Sequence, residues 1–143
     1  MAKHSPAELS LAMLRRWGWQ AAMVERFIAA IKIRQDLFGI IDILGMSAER
    51  GIIGVQCCSL DAYQKHIEKY RDPDLVYNIK TWLQANGRYE IWAWGRRKDD
   101  GEDRTVIQIT AARYTPGTKL QWHNEKRLHY KSVNPGKTKE EPL

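Results

Sequence analysis

Asp42 stands inside the apolar run Ile40-Ile41-Asp42-Ile43-Leu44, and Gln56 and Cys58 stand two apart in Gly54-Val55-Gln56-Cys57-Cys58. An ionised carboxylate among such neighbours loses several kcal/mol of hydration, or stays protonated, unless something pairs with it. Residues i and i+2 of a strand face the same side of a sheet, so Gln56 and Cys58 look one way, with Gly54 leaving room beside them. A tight hairpin register then brings Asp42 and Gln56 to one point. Two converging oxygens at the end of a strand pair suit a hard divalent cation such as Mg²⁺, and Glu25 and Asp36 are the carboxylates available to complete the set. The competing reading is structural: Asp42 accepts a hydrogen bond from Arg34, and Gln56 satisfies the backbone of a sheet edge.

The elements that position these residues follow from local signals. Ser5-Pro6-Ala7-Glu8 combines an N-cap Ser, a Pro at the first helical position and a Glu at the third, so a helix starts there. Gly18 breaks it, and Met23, Phe27 and Ile31, four apart, predict a second helix from about Trp19 to Ala30, with Glu25 off its apolar stripe. The run from Leu37 to Met46 reads as a strand buried on both sides, Ser47–Gly51 as a turn, and Ile52–Ser59 as the other half of a hairpin. Asp61–Tyr70 and Asp74–Ala85 read as helices, the first capped by Ser59 or Asp61, the second closed by Asn86-Gly87. Arg88–Gly95 and Arg104–Tyr114 read as strands, with Trp92 and Trp94 on one face, more often core than surface. Residues 115–143, with Pro116, Gly117, Pro135, Gly136 and many lysines, read as a basic extension or tail with one docked segment near Leu120–Trp122. The expected architecture is therefore a single α/β domain over residues 1–114, a mixed sheet of about four to five strands flanked by helices.

Composition bounds the function. The 143 residues suit one domain, and 43% hydrophobic content excludes global disorder. The N-terminus is polar and no apolar run approaches the roughly 18–20 residues of a membrane span, so a cytoplasmic protein with no membrane partner is expected. Cys57 and Cys58 are adjacent and point to opposite faces of a strand, which removes zinc-finger and disulfide-scaffold readings. The net charge of +6 lies mostly after Tyr70. There Arg96, Arg97, Lys98, Lys126 and Arg127 are interleaved with aromatic residues, a pattern that contacts phosphates and stacks on unpaired bases, although a solvated basic surface has the same composition.

Glu25, the run Arg34-Gln35-Asp36-Leu37-Phe38-Gly39-Ile40-Ile41-Asp42 and Gly51-Ile52-Ile53-Gly54-Val55-Gln56 together resemble the PD-(D/E)XK nuclease superfamily, in its branch of phage and archaeal proteins similar to Holliday-junction resolvases. The likeness spans about Trp19 to Arg97. It implies a restriction-endonuclease-like fold and a Mg²⁺-dependent DNA endonuclease, with Mn²⁺ as a substitute ion, branched DNA as substrate and a homodimer as the acting form. By the same resemblance Glu25 takes the position of a helix Glu, Asp42 the first-strand Asp, Gln56 the Glu of an E-x-K motif and Cys58 its Lys, with Asp36 a further metal ligand; Arg34 is a separate candidate for DNA contact.

Two departures qualify that likeness. Gln for Glu removes a negative charge while keeping a carbonyl oxygen that can coordinate a metal. Cys for Lys removes a cation beside the attacking water and the phosphate, a larger loss to catalysis. Lys65 and Lys69, four apart on the following helix, are the candidates to replace it, against the alternative that both are solvated. Cys58 is not read as a nucleophile, because no His is placed by sequence to activate it. The alternative function is a catalytically inactive DNA-binding or assembly module that retains the nuclease fold.

Overall fold

The computed structural model describes residues 4–99 and 101–129. Helix α1 runs over Pro6–Arg16, where Ser5 Oγ accepts the Glu8 N–H at 3.1 Å and the Glu8 carboxylate accepts the Ser5 N–H at 3.2 Å. Two of the orphan donors of the first turn are thus satisfied, as the capping motif predicts. The helix stops at Trp17, and Gly18 follows with φ +91°, a left-handed conformation that turns the chain back.

The second helix expected after Gly18 does not form. Residues 19–35 instead make strand β1 (Gln20–Met23) and a two-stranded ribbon of β2 (Arg26–Ile28) and β3 (Ile33–Gln35). Glu25 therefore lies in the short link between β1 and β2, not on a helix. Met23, Phe27 and Ile31, spaced for a helical core face, are 43%, 58% and 59% exposed. The apolar spacing had no core to bury itself in, whereas β1 finds a complete hydrogen-bonding partner in the next strand.

That next strand, β4, covers Ile43–Ser47 and is shorter than predicted. Residues 37–41 form a tight turn in which Phe38 and Gly39 both take positive φ (55° and 72°) and Leu37 bridges Ile41. Strand β5 (Gly51–Ser59) pairs antiparallel with β4 as the expected hairpin, with Ile43 opposite Val55 and Ser47 opposite Gly51. Helices α2 (Tyr63–Lys69) and α3 (Pro73–Gln84) cross over to β6 (Gly87–Asp99), which runs parallel to β5. Ser59 Oγ accepts the Ala62 N–H at the start of α2, and Asn86 at φ 72° closes α3.

Strand β7 (Glu102–Arg113) returns antiparallel to β6. Part of the region read as a tail is also a strand: β8 (Gln121–His129) pairs with β7 along the sheet edge. It was illegible as such because its polar face, rich in Gln, Asn, Lys and Arg, carries no apolar alternation. The rest of the expected tail, 130–143, lies outside the described residues.

Among the described residues the result is an α/β architecture: a mixed six-stranded sheet in the order β1-β4-β5-β6-β7-β8, three helices and the separate β2–β3 ribbon. Six strands exceed the four to five expected because β1 and β8 were read as helix and tail. One face packs α1 against Trp17, Trp19, Val55, Trp92 and Trp94, so the two strand tryptophans are core residues as expected. The other face packs α2 and α3 over Ile41, Cys58, Tyr70, Tyr89 and Ile91. Among the described residues no helix is long and apolar enough to cross a membrane.

Candidate metal centre

Asp42 occupies the residue before β4, and both its backbone groups extend the sheet. Its N–H donates to the Val55 carbonyl and its carbonyl accepts the Val24 N–H, each at 2.9 Å. The second bond sets Glu25, the neighbour of Val24, beside Asp42. The Leu37–Ile41 turn, closed by the Leu37 N–H on the Ile41 carbonyl at 2.9 Å, sets Asp36 on the other side. Backbone ladder geometry thus gathers three carboxylates from separate parts of the chain, one oxygen of each lying within 4.8 Å of the others. Oxygens around one octahedral Mg²⁺ are about 2.9 Å apart when adjacent and about 4.2 Å when opposite, so an ion would have to draw the three carboxylates closer together.

Asp42 is 4% exposed. Its Oδ2 accepts from Gln56 Nε2 at 2.8 Å and from the Cys57 N–H at 2.9 Å. Its Oδ1 is buried with no hydrogen-bond partner among the described residues. Burial first, and a hydrogen bond shared with the Asp36 carboxyl next, push the Asp42 carboxyl up to about 8; the Cys57 N–H pulls the other way, and the Asp36 and Glu25 charges add to the rise. A buried oxygen without a donor, facing two further carboxylates, is the environment that a hard cation relieves.

The other two acids carry cations. Arg34 donates to Glu25 at 2.8 Å, so it is the partner of Glu25 and not of Asp42, contrary to the structural alternative raised above. Lys69 Nζ, at the last turn of α2, lies 3.8 Å from Asp36 Oδ2 and over the Tyr70 ring. Its charge also reaches Cys58, drawing the thiol down against the burial that raises it to about 11. Lys69 therefore lies near Cys58, where the resemblance would place a lysine, whereas Lys65 is exposed on the same helix with no ion pair among the described residues. Cys57 and Cys58 are free and face opposite sides. Burial raises both thiols, which agrees with inert side chains.

Gln56 is brought to Asp42, 3% exposed, but its amide nitrogen and not its oxygen faces the carboxylate. Its oxygen accepts the Tyr70 hydroxyl at 3.2 Å. Tyr70 in turn meets the Tyr89 hydroxyl at 2.7 Å, and Tyr89 donates to the Ile40 carbonyl at 2.5 Å. Tyr70 is stacked on Trp122 of β8, with ring centroids 5.3 Å apart. Sequence reasoning missed both tyrosines and His66. The His66 ring, half-buried near Lys69 and Asp36, is lowered by burial first and by Lys69 next, with Asp36 opposing. A buried Tyr is an ordinary core residue in a sequence, and only the fold shows these two converging on Gln56.

The basic residues fall in three places. Arg96, Arg97 and Lys98 are exposed on the part of β6 that continues past the end of β5. At about 3.3 Å per residue they lie roughly 13–20 Å along the strand from Trp92, which pairs with Cys57. Lys126 and Arg127 lie on β8, Arg127 donating to Gln108 at 2.8 Å. On the other side, the ribbon carries exposed Arg26, Lys32 and Arg34 and is rooted at its two ends on Glu25 and Asp36. Comparison of the chain with family models, with curated proteins and with solved structures returns no match.

Proposed function

We propose that this chain is a divalent-metal-dependent DNA endonuclease of restriction-endonuclease-like fold. The observation that carries the reading is the buried, unpartnered Asp42 oxygen within a three-carboxylate cluster. Asp42, Glu25 and Asp36 would hold Mg²⁺ or Mn²⁺, and such an ion supplies polarisation of a phosphate oxygen and a lowered pKa for a bound water. The chain's own residues do the rest. Lys69 places an ammonium beside the cluster, where it can meet a phosphate oxygen or the leaving group. Arg26, Lys32 and Arg34 on the ribbon, with Arg96, Arg97 and Lys98 on the β6 extension, flank the centre with phosphate-binding charge. Branched DNA and a symmetric dimer that cuts two strands complete the proposal.

The test is cleavage of labelled duplex and four-way junction with Mg²⁺ or Mn²⁺ by the wild type and by Asp42→Ala. The expected result is cleavage by the wild type alone; cleavage that survives the substitution removes the mechanism. A second reading, a DNA-binding module that has lost cleavage, is favoured by Cys58 standing in place of a lysine and by the engagement of the Gln56 oxygen with Tyr70. It predicts salt-sensitive DNA binding without cleavage at any metal concentration, and binding indifferent to Asp42.

A further inference from the structure

Gln56 stands where the resemblance places an acidic metal ligand, yet its surroundings define it as a donor. Asp42 Oδ2 already accepts the Cys57 N–H at 2.9 Å, and the side chain facing the same oxygen is placed to donate as well. The amide nitrogen of Gln56 does so at 2.8 Å. Turning the amide over would set its oxygen against the accepting Asp42 oxygen. The amide oxygen is engaged from behind by the Tyr70 hydroxyl. The chain Gln56 Oε1, Tyr70 OH, Tyr89 OH, Ile40 carbonyl contains three close contacts at 3.2, 2.7 and 2.5 Å. Neither the amide oxygen nor the carbonyl can donate, so two hydroxyl hydrogens serve three contacts. With Tyr70 committed to Gln56, the Tyr89 hydrogen is shared between Tyr70 and Ile40. Tyr70 and Tyr89 are 4% and 1% exposed, and Trp122 stacks on the first and meets the second edge-on, so the relay is closed to water.

We infer that Gln56 is a positioning residue and not a metal ligand: held by Tyr70 and Tyr89, it fixes Asp42 Oδ2 and leaves Oδ1 to the ion, with Asp36 supplying the oxygen that Gln56 does not. The inference rests on the metal-centre reading above. A glutamate at 56 would oppose two carboxylates at hydrogen-bond distance and still accept from Tyr70. A glutamine joins a hydroxyl donor on one side to a carboxylate acceptor on the other, which is the role of outer partners that orient metal ligands.

The experiment follows the side-chain amide of Gln56 in ¹⁵N-labelled protein, assigned with Gln56→Leu, during a Mg²⁺ titration. The expected result is that the Cys57 backbone N–H shifts on ion binding while the Gln56 amide protons keep their hydrogen-exchange protection within about 2-fold. In Tyr70→Phe, which preserves the ring stacked on Trp122, the same protons exchange at least about 10-fold faster and Mg²⁺ binds about 10-fold more weakly. Tyr89→Phe, which shortens the relay by one member, gives a smaller change in the same direction. Mg²⁺-induced shifts accompanied by loss of Gln56 protection mean that the amide has turned its oxygen to the ion, and they overturn this inference while leaving the metal centre standing. A Tyr70→Phe protein that folds and matches the wild type in both readouts overturns it equally. Absence of any Mg²⁺-induced shift at the centre overturns the metal reading and this one with it.

Discussion

Replacing Asp42 by Asn should stabilise the metal-free protein. Asn is the same size, and its oxygen can accept from Gln56 Nε2 and the Cys57 N–H as Asp42 Oδ2 does at 2.8 and 2.9 Å, while its NH₂ can donate to the Asp36 carboxylate beside it. What disappears is the ionisable group whose folded form is held up to about 8 against an ordinary 3.8. In the unfolded chain that carboxyl ionises above pH 4; in the native protein it stays protonated to about 8. Folding at pH 7 must therefore take up a proton, at about 1.4 kcal/mol for each tenfold, or up to about 4 kcal/mol in all. The sign follows from a raised folded value: the stability of the wild type is intact below about pH 4 and falls as pH rises toward 8. The Asn variant has no such slope. Urea denaturation in chelator from pH 4 to 9 should give curves that coincide at the acid end and diverge by a few kcal/mol at pH 8, the variant being the more stable. Saturating Mg²⁺ should reverse the order, because only the wild type gains binding free energy. A variant less stable than the wild type in chelator at pH 8, or a difference that does not change with pH, would refute the electrostatic account of the cluster.

Further outcomes follow from the same geometry. Lys69→Ala should lower Mg²⁺-dependent cleavage about 10²-fold and leave DNA affinity nearly unchanged, whereas Lys65→Ala should alter neither; equal effects in single-turnover assays would remove the assignment of Lys69. Gly54→Ala puts a Cβ 2.6 Å from Ile41 Cδ1 and 3.4 Å from Trp82, so a loss of about 1–3 kcal/mol is expected in denaturant melts, with weakened Mg²⁺ binding because Ile41 adjoins Asp42. With its thiol held at about 11, Cys58 should be about one part in 10³ thiolate at pH 8, and alkylation by iodoacetamide should wait for unfolding. Arg96→Ala and Arg97→Ala should each flatten the salt dependence of DNA affinity by roughly 0.9 in log–log slope if these side chains sit on phosphates.

The parts of the fold that were legible in the sequence are those whose signal is local. The Ser5 capping box, the Asn86-Gly87 stop and the Ser47–Gly51 turn each declare themselves within a few residues, and α1, α3 and the β4–β5 hairpin formed where expected. The stretch after Gly18 was not legible, because Met23, Phe27 and Ile31 fit a helical period while the outcome depended on a partner further along the chain: Gln20–Met23 pair with Ile43–Met46. No N-cap residue marks a helix start at Trp19, and that absence was the available warning. The site divides along the same line. Asp42 and Asp36 were legible as carboxylates beside a strand, and Glu25 as a third available acid, though on a helix that does not form. The direction in which Gln56 points was not, since it is set by Tyr70 and Tyr89, which arrive from the end of α2 and from β6.

The pairing of charges at the centre gives the three acids unequal parts. Glu25 has the Arg34 guanidinium at 2.8 Å and Asp36 has the Lys69 ammonium at 3.8 Å, but Asp42 has only neutral donors, the Gln56 amide and the Cys57 N–H. The local sum of two cations and three carboxylates is balanced only while Asp42 keeps its proton. If the centre takes a divalent ion as proposed, that sum changes by two and the ionised form of Asp42 becomes the favoured one, which would couple ion binding to proton release at this residue. It would also compete with Arg34 for Glu25 and with Lys69 for Asp36. The two cations nearest the ion would then be loosened from their acids at the moment an anionic phosphate arrives, which is when a phosphodiesterase needs them.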